Sequence, residues 1–194
     1  MDPSEQTNNS KMQQRVADLW HYANAVYARE GVARACLRAQ DELGADVNLL
    51  LYAAWCAQLG QSLSAADFAA AEQRCNVWRD TVVRPLRAQR RRWRGAVERA
   101  SEYSAIKQLE LAAERAQLEM LAGLLTPAGE LSMPAGGLSP PTGEFSLDAG
   151  MSSARDPSET ADRLHASLVA LAAHYALAAA AFRDFETALN ASQG

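Results

Sequence analysis

Residues 47–57 constrain the fold most strongly, because this segment is apolar on nearly every side and contains no charged residue. A helix that is apolar all round is buried, either in the core of a protein or in a membrane. The segment is shorter than the roughly 18 residues that a membrane span requires. We therefore expect the central helix of a protein core here, with Asp46 capping its N-terminus.

Apolar residues recur at helical spacing over residues 10–125, and no alternating strand pattern competes with them. Residues 1–9 are polar and are expected to be disordered, with Ser10 as the N-cap of the first helix. Pro85 either begins a fifth helix or kinks a continuing one, and Gly95 is the residue that can interrupt the pattern after it. The prediction is an all-α fold: a single helical-bundle-like domain of about six helices.

The composition changes abruptly at residues 126–157, which hold five glycines, five prolines and five serines. Such a composition predicts a flexible linker between the helical core domain and a last helix. The linker contains a short repeat, Gly-Glu-Leu-Ser-Met at 129–133 and Gly-Glu-Phe-Ser-Leu at 143–147. The repeat is either a duplication in a tolerant loop or a pair of short docking motifs.

The last helix is expected to span residues 158–191. Its apolar residues alternate in steps of four and three, the spacing of a coiled-coil seam: Leu164, Leu168, Leu171, Tyr175, Ala178, Phe182, Phe185 and Leu189. The flanking positions hold histidines and alanines rather than alternating Glu and Lys, which favours packing on the protein's own core. The alternative is a homo-oligomer that forms through this heptad helix.

A cluster of arginines dominates residues 84–99, which contain seven arginines and one glutamate. The flanking parts of the chain are acidic, with net charges of −3 for residues 1–83 and −7 for residues 100–194. Trp93 is available to stack or to pack. Most of the arginines lie on one broad helix face: Arg84, Arg87, Arg90, Arg91 and Arg94. This face either pairs with the chain's own acidic helices or binds an anionic partner.

A polar turn between the second and third helices holds the other candidate residues: Gln40, Asp41, Glu42, Asp46 and Asn48. Carboxylates at the C-terminal end of a helix oppose its dipole, so an arginine partner or a bound cation should compensate them. His21 on the first helix is expected to face solvent or to find its partner nearby, and the alternative is that it approaches this turn and forms a His–carboxylate pair. No metal-ligand spacing or nucleophile motif occurs in the chain, so we assign no catalytic residue, metal or cofactor.

Cellular location is suggested by two features. The three cysteines, Cys36, Cys56 and Cys75, lie about 20 residues apart and make no metal-binding pair, which is typical of buried reduced thiols. The first residues show neither the basic nor the apolar part of a secretory signal, and no apolar run is long enough for a membrane span. We expect a cytoplasmic protein that does not bind membranes.

The chain resembles a bacterial family of unknown function, found mainly in proteobacteria, over roughly residues 16–121. The signature in this sequence is Leu-Trp-x-Tyr-Ala at 19–23, Tyr27, Gly-Val-x-x-Ala-Cys-Leu-x-x-Gln-Asp-x-x-Gly-Ala-Asp-Val-Asn-Leu-Leu-Leu at 31–51, and Trp-Arg-x-x-Val-Val-x-Pro-Leu-Arg-x-x-Arg at 78–90. The resemblance implies that the polar turn and the segment 82–90 are family features. It carries no known activity and therefore no catalytic assignment.

The sequence favours a non-catalytic cytoplasmic binding, adaptor or regulatory protein whose surface combines the arginine face with the polar turn. A protein is the expected partner. One alternative is an RNA- or ribosome-associated protein that uses residues 84–99, which the acidic pI of about 5.4 and the lack of an RNA-binding motif disfavour. The other is an enzyme or metal-binding protein that uses His21 with Asp41, Glu42 and Asp46.

Overall fold

The computed structural model describes residues 3–125 and 156–191, and this part of the chain confirms the all-α class. Its helices are α1 Pro3–Tyr27, α2 Val32–Glu42, α3 Val47–Gln58, α4 Ala65–Trp78, α5 Arg84–Arg92, α6 Ala100–Ala122, α7 Pro157–His174 and α8 Arg183–Ala191. A π turn, Arg79–Val83, joins α4 to α5, and a 3-10 turn, Val97–Arg99, precedes α6. None of the described helices combines the length and the apolar character needed to cross a membrane.

Helix α3 is the centre of the core, as its sequence predicts. Nearly all of its residues are buried, including Leu49, Leu50 and Tyr52, and it packs against α1, α2, α6 and α7. Asp46 is its N-cap and accepts a hydrogen bond of 2.9 Å from the backbone N–H of Asn48. An apolar surface on every side is stable only when other helices cover it, so α3 fixes where the surrounding helices pack.

Helices α4 and α5 form one continuous helical rod that the π turn interrupts. Pro85 lies in the first turn of α5, where its missing N–H is tolerated. In the π turn the backbone N–H of Arg84 donates to the carbonyl of Arg79, five residues earlier. Pro85 therefore accompanies a widened turn in a continuing helix. The chain then breaks at Gly95, whose φ of +82° suits glycine, before α6 begins.

The N-terminus differs from the sequence prediction, and the end of the expected linker coincides with the start of α7. Helix α1 begins at Pro3, so residues 3–9, which we expected to be disordered, are helical. Residues 126–155, with the repeated Gly-Glu motif, lie outside the described residues. Asp156 caps α7 by accepting a hydrogen bond of 2.9 Å from the backbone N–H of Ser158, so α7 starts at the end of the expected linker.

The expected continuous last helix is wrong, because the chain turns after His174. Ala176 has a φ of +54°, the N–H of Leu177 donates to the carbonyl of Ala172, and the N–H of Ala176 donates to that of Ala173. This pair of bonds is a Schellman motif, which ends a helix even without glycine. The Tyr175 hydroxyl accepts a hydrogen bond of 3.1 Å from the backbone N–H of Asp46, which holds the turn against the core.

Helices α7 and α8 pack on the rest of the same chain. Helix α7 lies against α3 and α4, and α8 lies against α2. Most residues of the expected seam are buried in this core, among them Leu168, Leu171, Phe182, Phe185 and Leu189, whereas Ala178 is exposed. The break and this burial remove the continuous exposed seam on which the expectation of a homo-oligomer depended.

Candidate functional site

A cavity of about 340 Å³ opens between α5, the π turn and the segment that follows α2. We call it the arginine cavity, because four of its lining residues are arginines and only one carries a carboxylate. The lining residues are Gln40, Gly44, Ala45, Asp46, Arg79, Arg84, Arg87, Ala88 and Arg91. The structure thus brings the arginine face and the polar turn together.

Helical geometry explains why these arginines share one side. Arg84, Arg87 and Arg91 are three and four residues apart on α5, so they lie on one face. Arg79 is five residues before Arg84, a spacing that in a regular α-helix would place it about 140° away. The π turn adds a residue to the intervening turn, and Arg79 lines the same cavity.

Asp46 is held in place by four parts of the chain. One carboxylate oxygen accepts the capping hydrogen bond of α3, and the other accepts a hydrogen bond from the Gln117 side-chain amide. That second oxygen also lies 3.8 Å from Nη1 of Arg79. The backbone N–H of Asp46 donates to the hydroxyl of Tyr175. Asp46 is therefore a fixed acidic wall of the cavity.

Arg79 is nearly buried, with its side chain 10% exposed, and is surrounded by carboxylates. Its Nη1 lies 2.8 Å from Oε1 of Glu72, and its Nε lies 3.1 Å from Oδ1 of Asp80. Glu72 in turn bonds His174 of α7, with 2.6 Å between Oε2 and Nε2. Burial, the largest influence, lowers the pKa of Arg79, but the bonds to Asp80 and Glu72 outweigh it and raise the pKa, so the guanidinium stays charged.

Acidification is expected to destabilise the protein through Glu72. Burial, the largest influence, raises the pKa of Glu72, but the bonds from Arg79 and His174 leave it below its ordinary value of 4.5. A carboxyl group whose pKa is lower in the folded state stabilises that state above its unfolded pKa, and the contribution is lost as pH falls through the folded pKa. The free energy of unfolding from urea denaturation should therefore decrease below about pH 4.5.

Glu72→Gln is the matched control for this pH dependence. The variant lacks the titrating group, so its free energy of unfolding should fall less steeply over the same acid range. Burial, the largest influence, raises the pKa of Glu114, which therefore acts in the opposite direction. Because Glu114 is present in both proteins, its effect cancels in the comparison. Identical pH profiles for the two proteins would contradict the assignment to Glu72.

Most of the predicted arginine face pairs with the chain's own carboxylates. Arg87 bridges two glutamates of α6, with 3.1 Å from Nε to Oε1 of Glu110 and 2.5 Å from Nη2 to Oε1 of Glu114. Arg90 also bonds Glu110, and Arg91 bonds Asp41. These contacts agree with the internal-pairing alternative for the centre of the face.

The pairing of the outer arginines is incomplete. Arg84 contacts Asp80 through Nη1 at 3.0 Å, and Arg91 contacts Asp41 through one Nη atom. Their side chains remain 56% and 44% exposed. A guanidinium has five N–H donors, so most donors of both residues remain available to a ligand. Arg94 makes no ion pair within the described residues, and Trp93 lies under the guanidinium of Arg99 at 5.4 Å.

The residues of the polar turn divide into separate roles. Gln40 lines the cavity and donates to Asp41, and this hydrogen bond, the largest influence, lowers the pKa of Asp41. Glu42 pairs with Arg38 on α2 at 3.4 Å and does not line the cavity. Asn48 is buried and donates its side-chain amide to the Glu114 carbonyl at 3.3 Å, which is a structural role.

His21 faces solvent, as expected, and does not form the alternative pair with the polar turn. It is exposed on α1 and does not line the arginine cavity. It makes no hydrogen bond or ion pair with Asp41 or Asp46 among the described residues. The carboxylates of the turn are therefore compensated by arginines and by backbone N–H groups, without the imidazole that acid–base catalysis there would use.

The arginines of the cavity supply positive charge and hydrogen-bond donors. Arginine stays protonated at any physiological pH, so it binds anions but does not transfer protons. Within the described residues, no three His, Cys, Asp or Glu side chains form a group that could hold a metal ion. The three cysteines are buried and unpaired, and burial raises the pKa of each thiol to about 12, which removes them as nucleophiles at neutral pH.

The sequence did not predict the residues that bond to Asp46 and Arg79, directly or through Glu72, on the buried side of the cavity. Arg79 belongs to the Trp-Arg signature at 78–79, and its membership of that signature was an available signal. Glu72, Gln117, His174 and Tyr175 gave no signal, because each reaches the site from a distant part of the chain. Only the packing of α4, α6 and α7 brings them together.

Comparison with known proteins gives a family but no activity. A family model described as a protein of unknown function (DUF2390) matches residues 18–121, which include α2 to α5 and the whole arginine cavity. No curated protein and no solved structure matches the chain significantly. Helices α7 and α8 lie outside the match, although both pack on it. Since the matched segment is more than half of the chain, the protein belongs to the DUF2390 family of proteins of unknown function.

Proposed function

We propose that this protein is a non-catalytic binding protein of the cytoplasm that docks an acidic side chain of a protein partner in the arginine cavity. The observation that carries the proposal is the lining of that cavity by four arginines, two of which are half-exposed. Arg84 and Arg91 keep unused donors, and guanidinium groups bind carboxylates through paired, charge-assisted hydrogen bonds. The buried, unpaired thiols suit a reducing compartment.

The distribution of charge favours an acidic protein segment over RNA. Binding to RNA depends on several successive phosphate contacts along a basic track. Around the cavity the arginines alternate with carboxylates, since Asp80 lies beside Arg84 and Asp41 beside Arg91. Such interleaved charges break a phosphate track, whereas a single carboxylate needs only one guanidinium with unused donors. The three arginines Arg92, Arg94 and Arg99 are exposed near the break at Gly95 and are the specific reason to test RNA as well.

Charge reversal at the two half-exposed arginines is expected to abolish most of the binding. We expect a short labelled Glu-rich peptide to bind the unmodified protein in fluorescence anisotropy, and Arg84→Glu combined with Arg91→Glu to weaken it at least tenfold. Each charge-assisted hydrogen bond contributes about 1.5–3 kcal/mol, and about 1.4 kcal/mol corresponds to a factor of ten. Arg183→Glu, at an exposed position of α8 and outside the cavity, is the control and should leave the affinity unchanged.

Two further probes separate the alternatives. A matched peptide with Gln in place of every Glu should not bind, because it lacks the carboxylates. Single-stranded RNA should bind no better than the Glu-rich peptide at moderate salt. Tight, salt-resistant RNA binding that Arg94→Glu removes and the cavity variants leave intact would overturn the proposal in favour of RNA association. Equal affinity of the two peptides would also overturn it.

A further inference from the structure

A second cavity, of about 270 Å³, adjoins the arginine cavity and has a different chemistry. Its walls combine a cluster of apolar side chains with charged residues that pair with one another, among them Arg90 and Glu110. We call it the apolar cavity after that cluster, which is Trp20, Tyr27, Leu37, Leu51 and Leu111. Gln40 and Arg87 line both cavities, so the two openings are separated only by these side chains. A ligand that reaches past Gln40 and Arg87 would contact both.

The apolar cavity leaves large hydrophobic side chains uncovered. Tyr27, Leu37 and Leu111 are 38%, 46% and 43% exposed. They come from α1, α2 and α6, so the fold collects them from three helices at one place. Single exposed apolar residues are ordinary, but a cluster at a concave site marks a binding surface.

Ion pairs restrain the wall between the two cavities. Arg87 is fixed by Glu110 and Glu114, and Arg90 bonds the same Glu110. The side chain of Glu110 is only 6% exposed, so the ion pairs are shielded from water. An arginine held in this way stays between the arginine cavity and the apolar cavity. The two cavities therefore select for a fixed arrangement of charge and apolar surface.

We propose that the apolar cavity receives a bulky apolar side chain of the same partner segment whose acidic residue occupies the arginine cavity. This inference rests on the proposed function and specifies its ligand as a short segment with an acidic residue close to a Leu, Met or Phe. The volume is below the roughly 300–1,000 Å³ of pockets that take whole small molecules, which suits a single side chain. Charge complementarity places the acidic residue at Arg84 and Arg91, and the apolar residue then lies on the far side of Arg87.

The test uses three synthetic peptides in a Gly/Ser background and the full-length protein. The first peptide carries Glu and Leu, the second carries Glu with Ala in place of Leu, and the third carries Gln with Leu. We expect the first to bind about tenfold or more tightly than the second, because burial of a leucine side chain contributes that much. Leu37→Glu and Leu111→Glu should weaken the first peptide and leave the second unchanged. Both positions are half-exposed, and circular dichroism checks that the variants fold.

Val97→Glu is the matched control, because Val97 is 86% exposed and lies outside both cavities. If the first and second peptides bind equally and Leu37→Glu has no effect, the inference fails while the proposed function stands. If Leu-dependent binding persists for the third peptide and in the Arg84→Glu/Arg91→Glu variant, the proposed function fails instead. A concentration-dependent dimer in light scattering that Leu37→Glu abolishes would show that a second copy occupies the cavity, which would also overturn the inference.

Discussion

Replacement of Arg79 with methionine is expected to lower the free energy of unfolding by about 3–5 kcal/mol, the usual effect of removing one partner of a buried ion pair. Without the guanidinium, the carboxylates of Glu72 and Asp46 would face each other with no positive charge between them. The Asp46 side chain is only 9% exposed, so loss of its charged neighbour leaves a poorly solvated carboxylate. Urea denaturation followed by far-UV circular dichroism measures this change.

Two further variants test the cause of that loss. Arg84→Met removes a half-exposed arginine with a single ion pair, and it should lower the free energy of unfolding by less than about 1 kcal/mol. Adding Glu72→Gln to Arg79→Met should restore part of the lost stability, because it removes one of the unpaired charges. If Arg79→Met were no more destabilising than Arg84→Met, the buried network would not have the role that we give it.

Phe185→Ala in α8 is expected to lower the free energy of unfolding by about 3–5 kcal/mol, the range for removal of a buried phenylalanine side chain. Phe185 is 1% exposed and belongs to the same core cluster as Leu49 and Leu50 of α3. The substitution therefore leaves a cavity in the main core, although α8 lies outside the segment that matches the family. Urea denaturation again provides the measurement.

The control for Phe185→Ala is Thr187→Ala, two residues further along the same helix. Thr187 is exposed, so its replacement should change the free energy of unfolding by no more than about 0.5 kcal/mol. A small effect at Phe185 as well would mean that α8 contributes little to the core. In that case the buried position of α8 would be irrelevant to the stability of the helices that form the candidate site.

The features that the sequence predicted depend on local chemistry. The apolar surface of α3, its Asp46 cap and the interruption at Gly95 follow from residue type and short-range geometry, and all three occur in the structure. The burial of the three cysteines also follows from their apolar surroundings. Such signals are contained within a few residues, so no tertiary information is required to find them.

The features that the sequence did not predict depend on contacts between distant segments. The helix ends at Tyr175 inside an alanine-rich stretch of high helix propensity, and the hydroxyl of Tyr175 meets the Asp46 backbone only in the folded chain. The acidic partners of the arginine face were expected in general terms, but the choice of Glu110 and Glu114 depends on how α6 is placed against α5.

The ion pairs around the arginine cavity have a consequence for the entropy of binding. A free arginine side chain samples many rotamers, and ordering it on a ligand costs roughly 0.5–1.5 kcal/mol. Asp80, Glu110 and Asp41 already confine Arg84, Arg87 and Arg91 in the unliganded chain. Much of this ordering therefore takes place during folding. The same carboxylates that reduce the net charge of the surface also prepare its geometry, which favours a ligand of matching shape over a merely acidic one.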